Sequence, residues 1–239
     1  MKKLLAFFSI LVFTFCLTVD SHADRRSYVW TYEYQTMPKG LSEIEYYLTE
    51  EQKDVSKAKP NTWKHWLELE YGITDHLDIA MYQQLKQSNL DSGDTFEYDG
   101  FKVRTRYRIL ERDKLPVDIL LYMEYIRNDN LKKANVLEGK AIFAKDIGDL
   151  NISYNQIIEQ ELDSGGETEH EYAAGVSYMA LPNFRIGVES KGSFSDRKYY
   201  IGPTIAWSSH KFWVSIGAIA GLNDRSDDLD TRLLVGIPF

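Results

Sequence analysis

The stretch Phe101-Lys102-Val103-Arg104-Thr105-Arg106-Tyr107-Arg108-Ile109 puts uncharged residues at odd positions and a cation at every even one. A β-strand separates such residues onto opposite faces, because its side chains alternate with period two. A helix would scatter the four cations around its circumference. The same alternation recurs outward from this stretch. Val117, Ile119, Leu121, Met123 and Tyr125 alternate with Asp118, Leu120, Tyr122 and Glu124. Leu150, Ile152 and Tyr154 alternate with Asn151, Ser153 and Asn155, and Phe212, Val214 and Ile216 with Trp213, Ser215 and Gly217. The chain ends in Thr231, Leu233, Val235, Ile237 and Phe239, alternating with Arg232, Leu234, Gly236 and Pro238. These runs are about ten residues long, the length of a tilted membrane-spanning strand and above the ~5–6 usual in soluble sheets.

The connections between runs alternate in length. Thr74-Asp75-His76, Glu111 to Pro116, Ile147-Gly148-Asp149, Leu181-Pro182-Asn183 and Ser208-Ser209-His210 are short. Glu50 to Asn61, Lys86 to Asp99, Arg127 to Ala134, Glu159 to Glu169 and Asn223 to Leu229 are long and polar. Bacterial outer-membrane barrels have this asymmetry, with tight periplasmic turns and longer external loops. Tyr71, Tyr125, Tyr178 and Tyr199 lie near strand ends, where interfacial aromatic girdles form. A soluble β-sandwich also alternates, but it has little use for so many ten-residue strands with one apolar face left open. The expected fold is all-β: a transmembrane antiparallel up-and-down β-barrel of about twelve strands, after a cleaved signal peptide.

The chain start fits that destination. Lys2 and Lys3 precede an apolar run from Leu4 to Val19, and Ser21-His22-Ala23 supplies small residues at a cleavage site. As an uncleaved anchor the run is short against the ~20 residues of a helical span. The expected organisation is a signal peptide over 1–23, an N-terminal segment over 24–40 and an outer-membrane barrel over 41–239. Cys16 follows Phe15, where a lipidation box needs a small residue, and it leaves with the signal; disulfides and thiolate metal sites are therefore not expected. The 239 residues carry 28 Lys+Arg against 36 Asp+Glu, a net charge of -8. Losing Lys2, Lys3 and Asp20 leaves 26 against 35, or -9. With no basic cluster, a nucleic-acid partner is excluded.

Two further features resemble known groups. Leu233-x-Val235-x-Ile237-x-Phe239, an alternating strand closed by a terminal aromatic, resembles the β-signal read by the outer-membrane barrel-assembly machinery. Met37-Pro38-Lys39-Gly40 and the run from Leu67 to Ile79, with Tyr71-Gly72-Ile73-Thr74-Asp75-His76 at its turn, resemble Gram-negative outer-membrane barrels of the phenol-degradation MetA-pathway type and neighbouring transporter-type families. The closer likeness covers about the first third of the mature chain. It implies a barrel and a channel, and supplies no catalytic residues.

Thirteen segments alternate well enough to be strands, whereas bacterial single-chain barrels have an even number. Stepping back from a last strand that descends to the periplasm makes Leu41–Leu48 an ascending strand. Ser27–Thr36 then has the wrong parity for the wall. Twelve strands from Leu41 to Phe239 resolve the count, and Tyr28, Trp30, Tyr32 and Tyr34 become a possible lumen plug. Ala173, Gly175, Ser177, Gly187, Gly202, Ala206, Ser215 and Gly217 would leave room for them on the inner wall. The competing reading is an ordinary wall strand in a different count.

Lys102, Arg104, Arg106 and Arg108 form a basic ladder that must face the lumen, because a cation on the lipid face costs roughly 2–4 kcal/mol near the midplane. Asp78, Asp118, Glu124, Glu68 and Glu70 are the neighbouring inward acids. The ladder reads as a charged constriction, or as a salt-bridge network that closes the lumen. Enzymatic signatures are weak: His76 and His210 fall in turns, and His170 with Asp163, Glu167 and Glu169 is the nearest approach to a loop active site. Asp224, Asp227, Asp228 and Asp230 lack calcium-loop spacing. No catalytic, cofactor or metal residue is assigned. The function expected is a passive pore or facilitator for a small solute, partnered by outer-membrane lipid and lipopolysaccharide and, during biogenesis, by the assembly machinery. A structural or interaction barrel closed by salt bridges is the alternative, and a barrel enzyme a distant third. Replacing the terminal aromatic, Phe239→Ser, is expected to lower outer-membrane levels on fractionation, with periplasmic degradation; wild-type protein found soluble in the periplasm would contradict this reading.

Overall fold

The computed structural model describes residues 26–239, so the signal segment and its cleavage site lie outside the described residues. The strands are β1 (Ser42–Gln52), β2 (Asn61–Thr74), β3 (Leu77–Leu90), β4 (Gly93–Arg108), β5 (Asp118–Asn128), β6 (Val136–Ile147), β7 (Leu150–Glu161), β8 (Thr168–Leu181), β9 (Phe184–Ser193), β10 (Lys198–Ser208), β11 (Trp213–Gly221) and β12 (Leu229–Pro238). Each pairs antiparallel with its sequence neighbours, and β12 closes the ring on β1. The closing ladder runs from Glu43 opposite Pro238 to Gln52 opposite Leu229. Beyond it Phe239 and Ser42 exchange backbone hydrogen bonds of 2.8 and 3.2 Å. Leu233, Val235 and Ile237 face outward, and Leu234 is fully buried inside. Ser27–Thr36 forms no strand, so the even count holds.

Polarity is inverted relative to a soluble protein. Ile44, Leu67, Ile79, Met81, Val188, Ile216 and Ile237 lie on the outside, 41–51 % exposed. Glu43, Glu45, Glu68, Glu70, Asp78, Arg104, Arg106 and Glu189 face inward, each no more than 2 % exposed. Closure gives every strand one inner and one outer face all along its length, and Leu120, Ile142, Ile219 and Leu234 fill the inside between the charges.

The sequence reading misplaces two features. Lys86 to Asp99, expected as a loop, continues the β3–β4 ladder from Lys86 opposite Glu97 to Leu90 opposite Gly93, around a two-residue turn. This arm has no apolar-against-polar pattern because it stands beyond the band where the wall separates lipid from lumen. A register shift at Gln84/Leu85 marks its root. There Gly100 sits at φ 122°, and a Cβ on it would fall 2.0 Å from the Arg127 carbonyl oxygen. His170 is likewise in β8 and not in a loop.

One end of the barrel has the turns 75–76, 148–149, 182–183 and 209–212, plus a longer link over 109–117. The other has loops 53–60, 129–135, 162–167, 194–197 and 222–228, and the β3–β4 arm. Residues 26–37 lie within the barrel: Tyr28, Val29, Thr31, Tyr34 and Met37 are at most 1 % exposed. The chain leaves the lumen at the short-turn end, where Gly40 donates to the Gly72 carbonyl at 2.8 Å and Gly72 donates to Leu41 at 3.0 Å. Here the backbones touch, for a Cβ on Gly72 would lie 2.0 Å from the Pro38 oxygen. Gly72→Val is therefore expected to dislodge residues 37–40 and lower the temperature at which the barrel loses its folded electrophoretic mobility. An unchanged transition would show that this contact is dispensable.

Candidate functional site in the lumen

The inner wall is built around like charges that face each other. On β1 and β2, Glu43 stands opposite Glu70 and Glu45 opposite Glu68. Directly opposed like charges destabilise a sheet. The compensation comes from β4, across β3. Ala80 is opposite both Glu70 and Arg104, and its small side chain lets the guanidinium reach over it. Arg104 Nη2 donates to Glu68 and, at 2.6 Å, to Glu70; Nη1 lies 3.5 Å from Asp78. Arg106 donates through Nε to both Asp78 oxygens at 3.1 and 3.0 Å, and through Nη2 to Glu70. All five side chains are buried, so each charge is held by its partners and not by water.

The other expected ladder residues part from this group. Lys102 pairs with Glu124 at 2.8 Å, and the Tyr122 hydroxyl donates to the same carboxylate at 2.8 Å. Arg108 turns to the inner segment, donating from Nε to Thr36 Oγ1 at 2.8 Å. Asp118 accepts from the Asp113 backbone at 2.8 Å. Sequence reading missed Glu138, Lys140, Lys191, Asp230 and Arg232, which also face the lumen; Lys140–Glu138 and Lys191–Asp230 pair at 2.9 and 2.8 Å. Their strands alternate too, and continuing the parity of Arg185 and Gly187 through Glu189 and Lys191 would have found two of the wall's charges.

Residues 26–37 make almost no backbone ladder of their own, so wall side chains satisfy their peptide groups. The Glu189 carboxylate accepts from the N–H groups of Val29, Trp30 and Thr31 at 2.7, 2.9 and 2.9 Å. Three successive amides converging on one anion form a backbone nest. The Asn155 amide completes a strand-like pair with Tyr32, accepting from its N–H at 2.7 Å and donating to its carbonyl at 2.9 Å. Ser215 donates to the Arg26 carbonyl at 2.6 Å, Arg232 to that of Val29 at 3.1 Å and Arg112 to that of Tyr34 at 2.7 Å. Met37 N–H donates to Asp78 at 3.0 Å. Ser27 and Glu33 tie the segment to itself at 2.7 and 2.8 Å.

Small wall residues make the room. A Cβ on Gly175 would stand 2.5 Å from the Tyr28 ring, and one on Gly217 would stand 2.5 Å from Val29. The Tyr28 hydroxyl donates to Asn151, and that of Tyr34 to the Leu110 carbonyl. Trp30 and Tyr32 point to the long-loop side. The Tyr32 ring centroid is 5.1 Å from that of Tyr122, with the Arg26 guanidinium 4.3 Å and the Lys140 ammonium 5.0 Å away.

The segment divides the lumen into two chambers. At the short-turn end about 610 Å³ is lined by Tyr34, Arg108, Arg112, Asp146 and Arg185 among others. At the long-loop end about 470 Å³ is lined by Trp30, Trp66, Tyr82, Lys102, Glu171 and Arg232 among others. Outside the strands, His76 is held above its usual range by its hydrogen bond to the Arg108 carbonyl at 3.0 Å, and by Glu111 at 2.8 Å. Among the described residues no group of three or more His, Cys, Asp or Glu side chains is arranged to hold a metal ion.

With this geometry known, comparison identifies the fold. An outer-membrane channel from Pseudomonas putida F1 superposes with a TM-score of 0.63 at 12% identity, covering 89% of this chain and 100% of that one. The KdgM porin follows at 0.57 and 12%, covering 82% and 99%. The NanC porin gives 0.54 and 11%, covering 83% and 98%. The chain has the fold of a bacterial outer-membrane β-barrel. At these identities the likeness is one of fold; no family model and no curated protein matches the sequence.

Removing Arg104 leaves Glu68, Glu70 and Asp78 facing one remaining guanidinium. Breaking a buried pair from one side typically costs about 3–5 kcal/mol. Arg104→Met is expected to lose stability of that order in denaturant unfolding from lipid vesicles, and Arg104→Met combined with Glu68→Gln to recover part of it. Equal stability of wild type and single variant would remove the network as a stabilising element.

Proposed function

We propose that the protein is a passive pore or facilitator for small solutes in the bacterial outer membrane, and not an enzyme. The long loops then face outside and the short turns the periplasm. One observation carries the reading: two chambers lined by charged side chains lie on either side of residues 26–37, a segment docked to the wall through side chains and absent from the ladder. A segment so attached can narrow a path without belonging to the barrel that forms it. We assign Tyr28, Trp30, Tyr32 and Tyr34 to a lumen plug, the charge ladder to the wall of the constriction, and the terminal strand through Phe239 to recognition by the assembly machinery. Lipid and lipopolysaccharide would surround the apolar exterior. The sequence likeness of residues 37–40 and 67–79 to phenol-degradation MetA-pathway barrels favours a place in or near that group.

The buried Arg104 and Arg106 network favours the second reading, a structural barrel whose lumen is closed by ion pairs. Single-channel recording of refolded protein in planar bilayers separates the two. Deleting residues 24–36 behind an intact signal peptide is expected to leave a folded, heat-modifiable barrel whose conductance exceeds that of wild type severalfold. Absence of conductance in both proteins would establish the closed barrel.

A further inference from the structure

The outer chamber has a floor in which cations alternate with aromatic rings. The Arg232 guanidinium lies 5.4 Å from both the Trp30 and the Trp66 centroids, and the Lys102 ammonium 4.5 Å from Trp66. Arg26 lies between Tyr32 at 4.3 Å and Tyr47 at 5.8 Å. The lysines of this chamber are neutralised: Lys64 by Glu51, Lys102 by Glu124, Lys140 by Glu138, Lys191 by Asp230 and Lys198 by Asp196.

The two arginines have no such close partner; Glu45 acts on Arg26 and Glu51 on Arg232 only from beyond 4 Å. Arg26 donates to the Tyr47 hydroxyl, and Arg232 to Thr49 and the Val29 carbonyl; among the described residues neither has a carboxylate oxygen within 4 Å. The chamber also holds carboxylates with no lysine or arginine nitrogen within 4 Å among the described residues. Glu159 on β7 stands opposite Glu138 in the ladder and shares a hydrogen bond with it, and Glu171 on β8 stands opposite Ile157 with Lys140 and Lys191 beyond 4 Å. In the ring of strands β8 and β7 are four and five places from β12, so these acids lie across the lumen from Arg232. Asp227 adds a further carboxylate from loop 222–228 at the rim.

Arginines outside any close ion pair on one wall, carboxylates outside any close ion pair on another, both among the described residues, and aromatic faces between them suit a solute with both charges on one apolar body. We propose that the outer chamber is a binding site for a zwitterionic solute of the amino-acid class. Its carboxylate would lie on Arg26 and Arg232, its ammonium towards Glu159 and Glu171, and its side chain against Trp66 and Tyr82. The proposal rests on the pore reading and deepens it by naming the solute class. A simple anion would leave the acidic wall unmatched, and a simple cation the arginines.

Three probes of one shape test it: phenylalanine, 3-phenylpropionate, which lacks the ammonium, and phenethylamine, which lacks the carboxylate. Each is titrated against refolded protein in two ways, by block of single-channel current and by tryptophan emission in lipid vesicles. Phenylalanine is expected to act at about tenfold lower concentration than either analogue, the worth of one charge-assisted contact. Arg232→Gln should abolish its advantage over phenethylamine, and Glu171→Gln its advantage over 3-phenylpropionate. The second variant keeps the test open if the first fails to fold. Equal action of phenylalanine and 3-phenylpropionate would overturn the proposal in favour of an anion site. Current without block or emission change by any probe would overturn the site and leave the pore. An emission change with the expected selectivity in a barrel that passes no current would leave the site and remove the pore.

Discussion

Ring closure of β12 onto β1 is the constraint from which the interior follows. Once the sheet has no edge, every second side chain of twelve strands is committed to a narrow lumen, whatever its charge. In this chain many of those positions are acidic, and Glu43, Glu45, Glu68 and Glu70 form two directly opposed pairs on the first two strands. No rotamer change removes that repulsion, since the register of a closed ladder is fixed. It is answered instead by Arg104 and Arg106 reaching across β3 where that strand narrows to Ala80. The basic ladder on β4 and the acidic ladder on β2 are therefore one device, and Ala80 is the residue that lets them meet.

The same constraint explains how a stretch without secondary structure can be buried. Residues 26–37 carry as many peptide groups as a strand but have no neighbour to pair with, and burial forbids leaving those groups to water. Glu189 and Asn155 act as substitutes for a strand. One offers two oxygens to three N–H groups, and the other offers an acceptor and a donor spaced like a peptide. Small inner residues on the same arc of wall, Gly175 on β8 and Gly217 on β11, leave the volume that Tyr28 and Val29 fill, so polar anchorage and room for the segment lie side by side. A larger residue at Gly175 or Gly217 would strike Tyr28 or Val29, however well the backbone groups were met.

Alternation made the wall legible in the sequence. The strands spanning the apolar band were readable because lipid and lumen impose opposite chemistries on their two faces. The β3–β4 arm was not, since both of its faces meet the same medium and nothing forces Gln87, Ser88 and Asn89 to differ from Thr95 and Glu97. Parity identified residues 27–36 as unsuited to the wall, but their contacts were beyond reach. Which acid takes which arginine depends on side-chain length across two ladders, and Asp118, expected beside the basic ladder, accepts instead from the Asp113 backbone in the neighbouring link. Arg26 and Arg232 were passed over because neither belongs to an alternating run of charges, and each becomes notable only when no carboxylate is found within 4 Å of it among the described residues.

That absence has a physical origin in how this interior holds positive charge. A buried ion pair neutralises its members and leaves no field for a visitor. A ring face is a weaker partner, worth roughly 0.5–2 kcal/mol, and leaves the cation's net charge in place. Arg26 and Arg232 are held by rings, hydroxyls and carbonyls, so they stay fixed in position and still charged towards the chamber. Arg104 and Arg106, gripped by three carboxylates, are fixed and spent. The lumen thus contains two kinds of arginine, one that keeps the wall together and one whose charge is still available to whatever enters from the long-loop end.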